Sequence, residues 1–238
     1  MRQLVAALIG IVGLSAASPA LAAKTDALLA VSWQPAFCEG HSDRAECKSQ
    51  TSARYDASHF SLHGLWPMND EYCGVSNAER ATDESGTWSK LPALSLPSDL
   101  EAELKKVMPG VQSNLQRHEW VKHGTCTRFT PENYYQTATE LLNQLNGSVV
   151  AELFKSHIGQ QLSSDEIVKA FDSAFGRNAG RRVKVSCVSD GNRVLIDEIT
   201  IGLSKQYAPG TSLEDLIQGA GSTSIGCDDG IVDAAGLQ

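Results

Sequence analysis

The chain has 238 residues, 42% of them hydrophobic and 20% charged, with 20 Lys and Arg against 28 Asp and Glu for a formal net charge of −8. That length and composition support one sizeable buried core. The negative balance excludes a generic polyanion binder at neutral pH, so any contact with nucleic acid must come from a local patch of His, Lys and Arg.

Residues 1–22, MRQLVAALIGIVGLSAASPALA, carry one charge at Arg2, then an apolar run closing on Ala20-Leu21-Ala22. The pattern predicts a secretory signal peptide cut before Ala23. The run is short for a membrane span and is interrupted by Ser and Pro. No later segment is apolar enough to cross a bilayer, so a protein free of the membrane in the periplasm or outside the cell is expected. Cleavage would leave 216 residues and a charge of −9, Arg2 being the only charge lost. With no repeat, linker or low-complexity block, residues 23–238 read as a single domain. All six cysteines lie in this part, and an even count in an exported chain predicts three disulfides. Zinc ligation is disfavoured because no C-x-x-C pair exists. Fifteen pairings are open; the expected set is Cys38–Cys47, Cys73–Cys126 and Cys187–Cys227.

In chain order, ALLAVSWQPAF (27–37) predicts a buried strand ending near Pro35, and HFSLHGLW (59–66) a second strand stopped by Pro67. Residues 68–97 are polar and read as a long loop, of a length that is functional or pinned; Cys73 supplies a pin. PSDLEAELKKVMPG predicts a helix capped by Ser98 and stopped at Pro109-Gly110. TPENYYQTATELLNQL predicts one with Thr130 as cap and Pro131 in its first turn. SSDEIVKAFDSAFG has Ser163 and Glu166 in capping-box spacing and Gly176 at its end. RRVKVSCVS and RVLIDEITIGL are alternating β-branched runs around Asp190-Gly191-Asn192, a hairpin signal. Strands and helices without regular βαβ alternation predict an α+β domain, a central mostly antiparallel sheet with several packed helices.

Two stretches carry chemistry. In HEWVKHGTC (118–126), taken as helical, His118, Lys122, Glu119 and His123 project at about 0°, 40°, 100° and 140°, one continuous arc, with Trp120 and Val121 on the opposite side facing the core. A zinc protease needs its histidines four apart on one face; here they are five apart beside a lysine, so a metal site is not expected. The bland alternative is a solvated charged helix face. In FSLHGLWP (60–67), alternation puts Phe60 and Leu62 on one face and Ser61 and His63 on the other. Gly64 permits close approach, and Trp66 offers a flat stacking surface. Taken alone, Trp66 reads as core and His63 equally as a buried structural imidazole. A Cys73–Cys126 bond would draw the two stretches together.

These two stretches resemble the active-site signatures of the ribonuclease T2 family, secreted endoribonucleases of α+β fold. LLAVSWQPAFC near the start and the paired cysteines near the end extend the resemblance over nearly all of the chain after residue 22. The resemblance implies His123 as general base and His63 as general acid, with Lys122 and Glu119 acting on the crowded phosphorane. It implies His118 as a phosphate-binding residue and Trp66 as a base-stacking surface. The substrate would be single-stranded RNA, cleaved by its own 2′-hydroxyl to 2′,3′-cyclic and then 3′-phosphate ends, with no metal or other cofactor, by a monomer. Met68 departs from members with an aspartate there that contacts a base, which predicts low base specificity. Leu115 either lines a second base pocket or packs under the helix, and His41, His59 and His157 match neither signature. A catalytically silent RNA-binding or regulatory protein on the same fold, and a metallohydrolase, are the competing readings.

Overall fold

The computed structural model describes residues 23–237, so the expected signal peptide lies outside the described residues. The strands are β1 (Ala27–Ser32), β2 (Ser61–Pro67), β3 (Gln161–Ser163), β4 (Val183–Asp190), β5 (Arg193–Leu203) and β6 (Asp229–Ile231). The helices are α1 (Gln34–Gly40), α2 (Ala45–Lys48), α3 (Asn77–Glu84), α4 (Ser98–Val107), α5 (Leu115–Lys122), α6 (Pro131–Asn146), α7 (Val149–Ser156), α8 (Ser164–Phe175) and α9 (Leu213–Gln218). In the sheet β1 lies between β2 and β5 and is antiparallel to both. The β4–β5 hairpin adds a further antiparallel pair, turning at Gly191 with φ +55°. Among the described strand pairs only β5–β6 is parallel, and isolated parallel bridges join Ile158 to Val232 and Val185 to Gly226. The architecture is the expected α+β sheet with packed helices.

Local chemistry explains most elements. Thr130 accepts from the Asn133 N–H, with Pro131 in the first turn of α6. Ser163 and Glu166 form the reciprocal capping box of α8, and Gly176 ends that helix at φ +84°. The long α6 covers the exposed edge of β2. The buried Tyr134 hydroxyl donates to the Leu65 carbonyl at 2.8 Å and accepts from the Leu65 N–H at 3.3 Å, satisfying an edge that would otherwise lack partners. Asn146, at the end of α6, holds the backbone of Phe60 through both ends of its amide, each at 3.0 Å. That places the start of β2 against the same helix.

Several expectations need correction. The first strand stops at Ser32, and Pro35 sits in the first turn of α1 instead of ending a strand. Pro97, not Ser98, is the N-cap of α4. The stretch 68–97 is not a bare loop, because it holds α3 with a full Ser76–Glu79 capping box and a 3-10 turn at Trp88–Lys90. α7, α9, β3 and β6 escaped sequence reasoning as well. All three disulfides have the expected partners, Cys38–Cys47, Cys73–Cys126 and Cys187–Cys227. Among the described residues no helix is long and apolar enough to cross a membrane.

Candidate active site

The site forms where β2 meets α5, and a register break in β2 decides which side chains reach it. Opposite β1, Leu62 pairs with Val31, but the next pair is Gly64 with Ala30, which leaves His63 as the extra residue of a β-bulge. Bulges redirect side chains. Here Leu62 and Leu65, three apart, are both buried in the core, while His63 and Trp66, also three apart, both reach the site. Strict alternation, as expected from the sequence, would have separated His63 from Trp66. Gly64 is required for a second reason: a Cβ there would lie 2.0 Å from Glu119 Oε2 and 2.5 Å from Trp66 Nε1.

α5 supplies the other half. It starts after Asn114 in the left-handed conformation (φ 64°) and ends with His123 as its C-cap. Val121 is buried, and Trp120 packs edge-on to Tyr134 with ring centroids 5.8 Å apart. The back of the helix is thereby anchored. On the opposite face Glu119 presses on β2. Glu119 is 1% exposed and accepts from Trp66 Nε1 at 2.8 Å. Its other oxygen lies 3.6 Å from His63 Nε2 and 3.7 Å from His118 Nε2. Trp66 sits between the two key imidazoles, with ring centroids 5.0 Å from His63 and 5.5 Å from His123. His118 and His123 are 6.5 Å apart, edge to face. The disulfide Cys73–Cys126 and a hydrogen bond from the Tyr72 N–H to the Lys122 carbonyl (2.8 Å) pin the intervening segment to the end of α5.

The electrostatics of the two histidines diverge. Burial alone pushes His63 down, but the hydrogen bond to Glu198 and the charges of Glu119, Glu198 and Asp197 outweigh it, so its net shift is upward. His123 is pushed down to about 3 by burial, reinforced by Lys122, His118 and His63. Its Nδ1 is buried and has no hydrogen-bond partner among the described residues. Burial raises the Glu119 carboxyl, and the facing histidines, Trp66 and Lys122 only partly offset this. Lys122 keeps its ammonium near the site and 3.6 Å from Glu71.

Two supporting carboxylates were missed in the sequence. Glu198, in β5, accepts from His63 Nδ1 at 2.5 Å. Asp83, buried in α3, contacts His118 Nδ1 at 2.8 and 2.9 Å and accepts from the Tyr72 hydroxyl at 2.8 Å. Trp88 stacks on the His118 ring at 4.5 Å. A capping signal for α3 was present at Ser76 and Glu79, but nothing local marks Glu198.

A cleft on the His63 side is lined by Ser32, Gln34, Arg44, Trp88 and Leu115, so Leu115 faces a cavity. A second cleft, on the His123 side, is lined by Trp66, Met68, Tyr72 and Arg80. The ribonuclease T2 family pattern matches residues 25–212, spanning both halves of this site. The chain belongs to the ribonuclease T2 family. It is 30% identical over 204 residues to ribonuclease I of Escherichia coli, covering 74% of each chain. Solved structures with the ribonuclease T2 fold include a variant of bitter gourd RNase MC1 in complex with 5′-UMP, at TM-score 0.54 and 19% identity, covering 87% of this chain and 98% of that one. Japanese pear S3-RNase superposes at TM-score 0.50 and 21% identity, over 74% of this chain and 84% of that one. At these identities the structural likeness concerns the fold alone. As a T2-type endoribonuclease, the chain departs from members with an aspartate after the Trp-Pro pair, since Met68 stands there with 36% of its surface exposed.

Proposed function

We propose that this ribonuclease cleaves single-stranded RNA without a metal, through attack of the substrate's own 2′-hydroxyl, and that His63, Glu119, Lys122 and His123 perform the chemistry. The observation that supports this most directly is the setting of two imidazoles about Trp66, with ring centroids 5.0 Å away for His63 and 5.5 Å for His123. His123, which burial shifts downward, is unprotonated and so leaves a ring nitrogen free to take a proton. His63, surrounded by carboxylates, is suited to carry one. In the first step His123 takes the 2′-proton and O2′ bonds to phosphorus. The O5′–P bond breaks, and His63 gives its Nε2 proton to O5′. A 2′,3′-cyclic phosphate results. In the second step water attacks phosphorus and loses its proton to His63, while O2′ leaves with the proton held by His123. The 3′-phosphate is released and both histidines return to their starting states. The nucleophile is internal, so its proximity comes with the substrate.

Lys122 supplies positive charge to the crowded phosphorane, and Glu119 orients the histidines and Trp66 around it. His118, held by Asp83, binds phosphate. Trp66 offers a stacking surface, and Met68 gives apolar contact at the position where some members carry an aspartate, which supports low base specificity. The disulfides support residence in an oxidising compartment outside the cytoplasm. End-group analysis of digested RNA, with EDTA present, tests the reading. Cyclic and 3′-phosphate ends are expected at an unchanged rate, and His123→Ala should lower that rate by about 10²–10⁴-fold. Ends bearing 5′-phosphate, or loss of activity with chelator, would overturn it. A purified protein inactive between pH 4 and 8 would favour the silent RNA-binding alternative.

A further inference from the structure

The acid His63 is held by a contact that arrives from two strands away. Glu198 of β5 lies directly opposite Ser32 of β1, and Ser32 lies directly opposite Ser61 of β2. Directly opposed residues share a face of the sheet, so Glu198, Ser32 and Ser61 form one row across three strands. Neighbouring strands stand about 4.8 Å apart, so β5 and β2 are separated by about 10 Å. The two serines keep that gap low. Across it the Glu198 carboxylate meets His63, which the bulge places just beyond Ser61, and the contact is closed at 2.5 Å. Among the described residues no lysine or arginine pairs with Glu198; its one ion-pair partner is His63. A carboxylate that served only to fasten strands would not need an imidazole of the reaction centre as its partner.

We infer that Glu198 is the positioning residue of the general acid: it fixes His63 with Nδ1–H donating to β5, so that Nε2 alone faces the leaving oxygen. The inference rests on the reading of His63 as the acid. Three consequences follow from the geometry. The ring is locked about its own axis. The neutral form left after proton transfer keeps its hydrogen on Nδ1, so Nε2 stays free for the proton that water gives up in the second step. The negative charge stabilises the imidazolium before transfer. Other charges face His63 too: Asp197 from β5 and Glu119 from α5, with His41, Arg44 and Glu46 lining the same cleft. Of these, Glu119 approaches Nε2, the proton-transferring nitrogen, at 3.6 Å. Only Glu198 is bonded to Nδ1. His123 lacks any such support at its own Nδ1, so the device belongs to one histidine of the pair.

The test uses the full chain carrying Glu198→Gln or Glu198→Asp, assayed for kcat and KM from pH 3 to 9 on two substrates. One is a dinucleoside monophosphate, whose 5′-alkoxide must be protonated to leave. The other is a uridine 3′-(4-nitrophenyl phosphate), whose phenolate leaves without help. For Glu198→Gln, kcat on the dinucleotide should fall about 10–100-fold with KM within about threefold, the scale on which partners that orient a catalytic imidazole act. The alkaline limb of its pH profile should move to lower pH by about one unit. On the nitrophenyl ester the loss should shrink to within about threefold, because general-acid help is not needed there. Glu198→Asp keeps the charge but is one carbon–carbon bond, about 1.5 Å, too short to hold the ring. It should restore the alkaline limb while recovering only part of kcat. If Glu198→Gln lowers both substrates equally and leaves the limb in place, the residue is structural and the inference is overturned. Should Glu198→Gln not fold, nitrogen NMR of His63 in wild type and Glu198→Asp decides: a persistent Nδ1–H in wild type that is lost in Glu198→Asp supports it, and an Nε2–H tautomer in wild type overturns it. His63→Ala separates the two levels. An active His63→Ala defeats the two-histidine reading itself, whereas an inactive one beside a wild-type-like Glu198→Gln defeats only the role of Glu198.

Discussion

The strand-borne half of the site and the helix-borne half each present an imidazole, and they prepare it in opposite ways. His63 is fed by carboxylates from two elements, Glu198 in β5 and Glu119 in α5. Among the described residues no carboxylate pairs with His123, which is buried at the end of a helix and lies beside Lys122 and His118. One side chain type is therefore shifted in opposite directions within one site. The difference lies in what each backbone can bring near: a sheet delivers side chains from distant strands along a row, whereas the last turn of a helix delivers its own neighbours.

The strongest way to break this comparison is to remove one imidazole at a time. His123→Ala and His63→Ala should each lower RNA cleavage by about 10²–10⁴-fold. They should differ in leaving-group dependence. The His63→Ala defect should shrink on a nitrophenyl ester, and the His123→Ala defect should persist, since the 2′-hydroxyl needs a base whatever departs. Equal behaviour of the two variants on both substrates would show that the halves are not specialised. Stability should also respond in opposite directions. His123 titrates at about 3 when folded and near 6.5 when unfolded, so between those values the unfolded chain binds more protons and acidification destabilises the protein. The upward-shifted His63 contributes stability below its unfolded value near 6.5 and loses it as pH rises through its folded value.

Next in size is Gly64→Ala, which attacks the contact between the halves. The added Cβ would fall 2.0 Å from the Glu119 carboxylate and 2.5 Å from Trp66 Nε1, so these buried and half-buried side chains must shift. A stability loss of about 1–3 kcal/mol is expected from overpacking, with activity falling more than stability because Trp66 and Glu119 separate. Denaturant titration beside initial rates would check both, and a fully active, stable variant would show that the close approach is dispensable.

This glycine also marks where sequence reasoning stopped. Of the disulfides only Cys38–Cys47 closes a short loop, the other two spanning 53 and 40 positions, whereas the capping box of α8 and the turn at Gly191 were legible because they depend on neighbouring residues. The face of Trp66 was not. Alternation counted from Phe60 puts Trp66 with the core leucines, and only the bulge at His63 reverses it. An isolated glycine inside a strand pattern is the available hint of a bulge, but it does not say on which side the extra residue falls. Glu198 and Asp83 were hidden for a different reason. Each meets a histidine far away in the chain, 135 and 35 residues off, and that meeting depends on strand register and on the docking of α3, which no local pattern encodes. The family signatures named His63, Trp66, His118, Glu119, Lys122 and His123 and left out Glu198 and Asp83, which hold two of those histidines.

A smaller effect is expected from cutting the link between the halves without touching either. Replacing Cys73 and Cys126 together by serine removes a crosslink spanning 53 positions and should cost about 2–4 kcal/mol. The segment carrying Tyr72 and Glu71 would loosen from the end of α5. At temperatures well below unfolding, kcat should change little, because β2 and α5 remain joined through Gly64, Glu119 and Trp66. A collapse of kcat in a folded variant would mean instead that the disulfide, and not the close packing at Gly64, sets the distance between the halves.

The finest prediction concerns Glu119, the one carboxylate that both halves share. Its folded-state titration is raised above the ordinary value of 4.5, burial being the dominant cause. A group raised in this way supports the fold below its unfolded value and withdraws that support as pH rises through its folded value. At neutral pH the ionised Glu119 therefore strains the fold that contains it. Glu119→Gln keeps the shape and an acceptor for Trp66 Nε1 while removing the charge, so it should raise the melting temperature slightly at pH 7 and lose that advantage below about pH 4.5, where the wild-type carboxyl is neutral in both states. Activity should fall at the same time, since the charge that burdens the fold is also the one that faces His63 and His118. Thermal unfolding of the two proteins at pH 4 and pH 7 separates the contributions. A Glu119→Gln protein less stable than wild type at pH 7 would show that attraction to the histidines exceeds the desolvation cost, and that the buried carboxylate holds the two halves together instead of straining them.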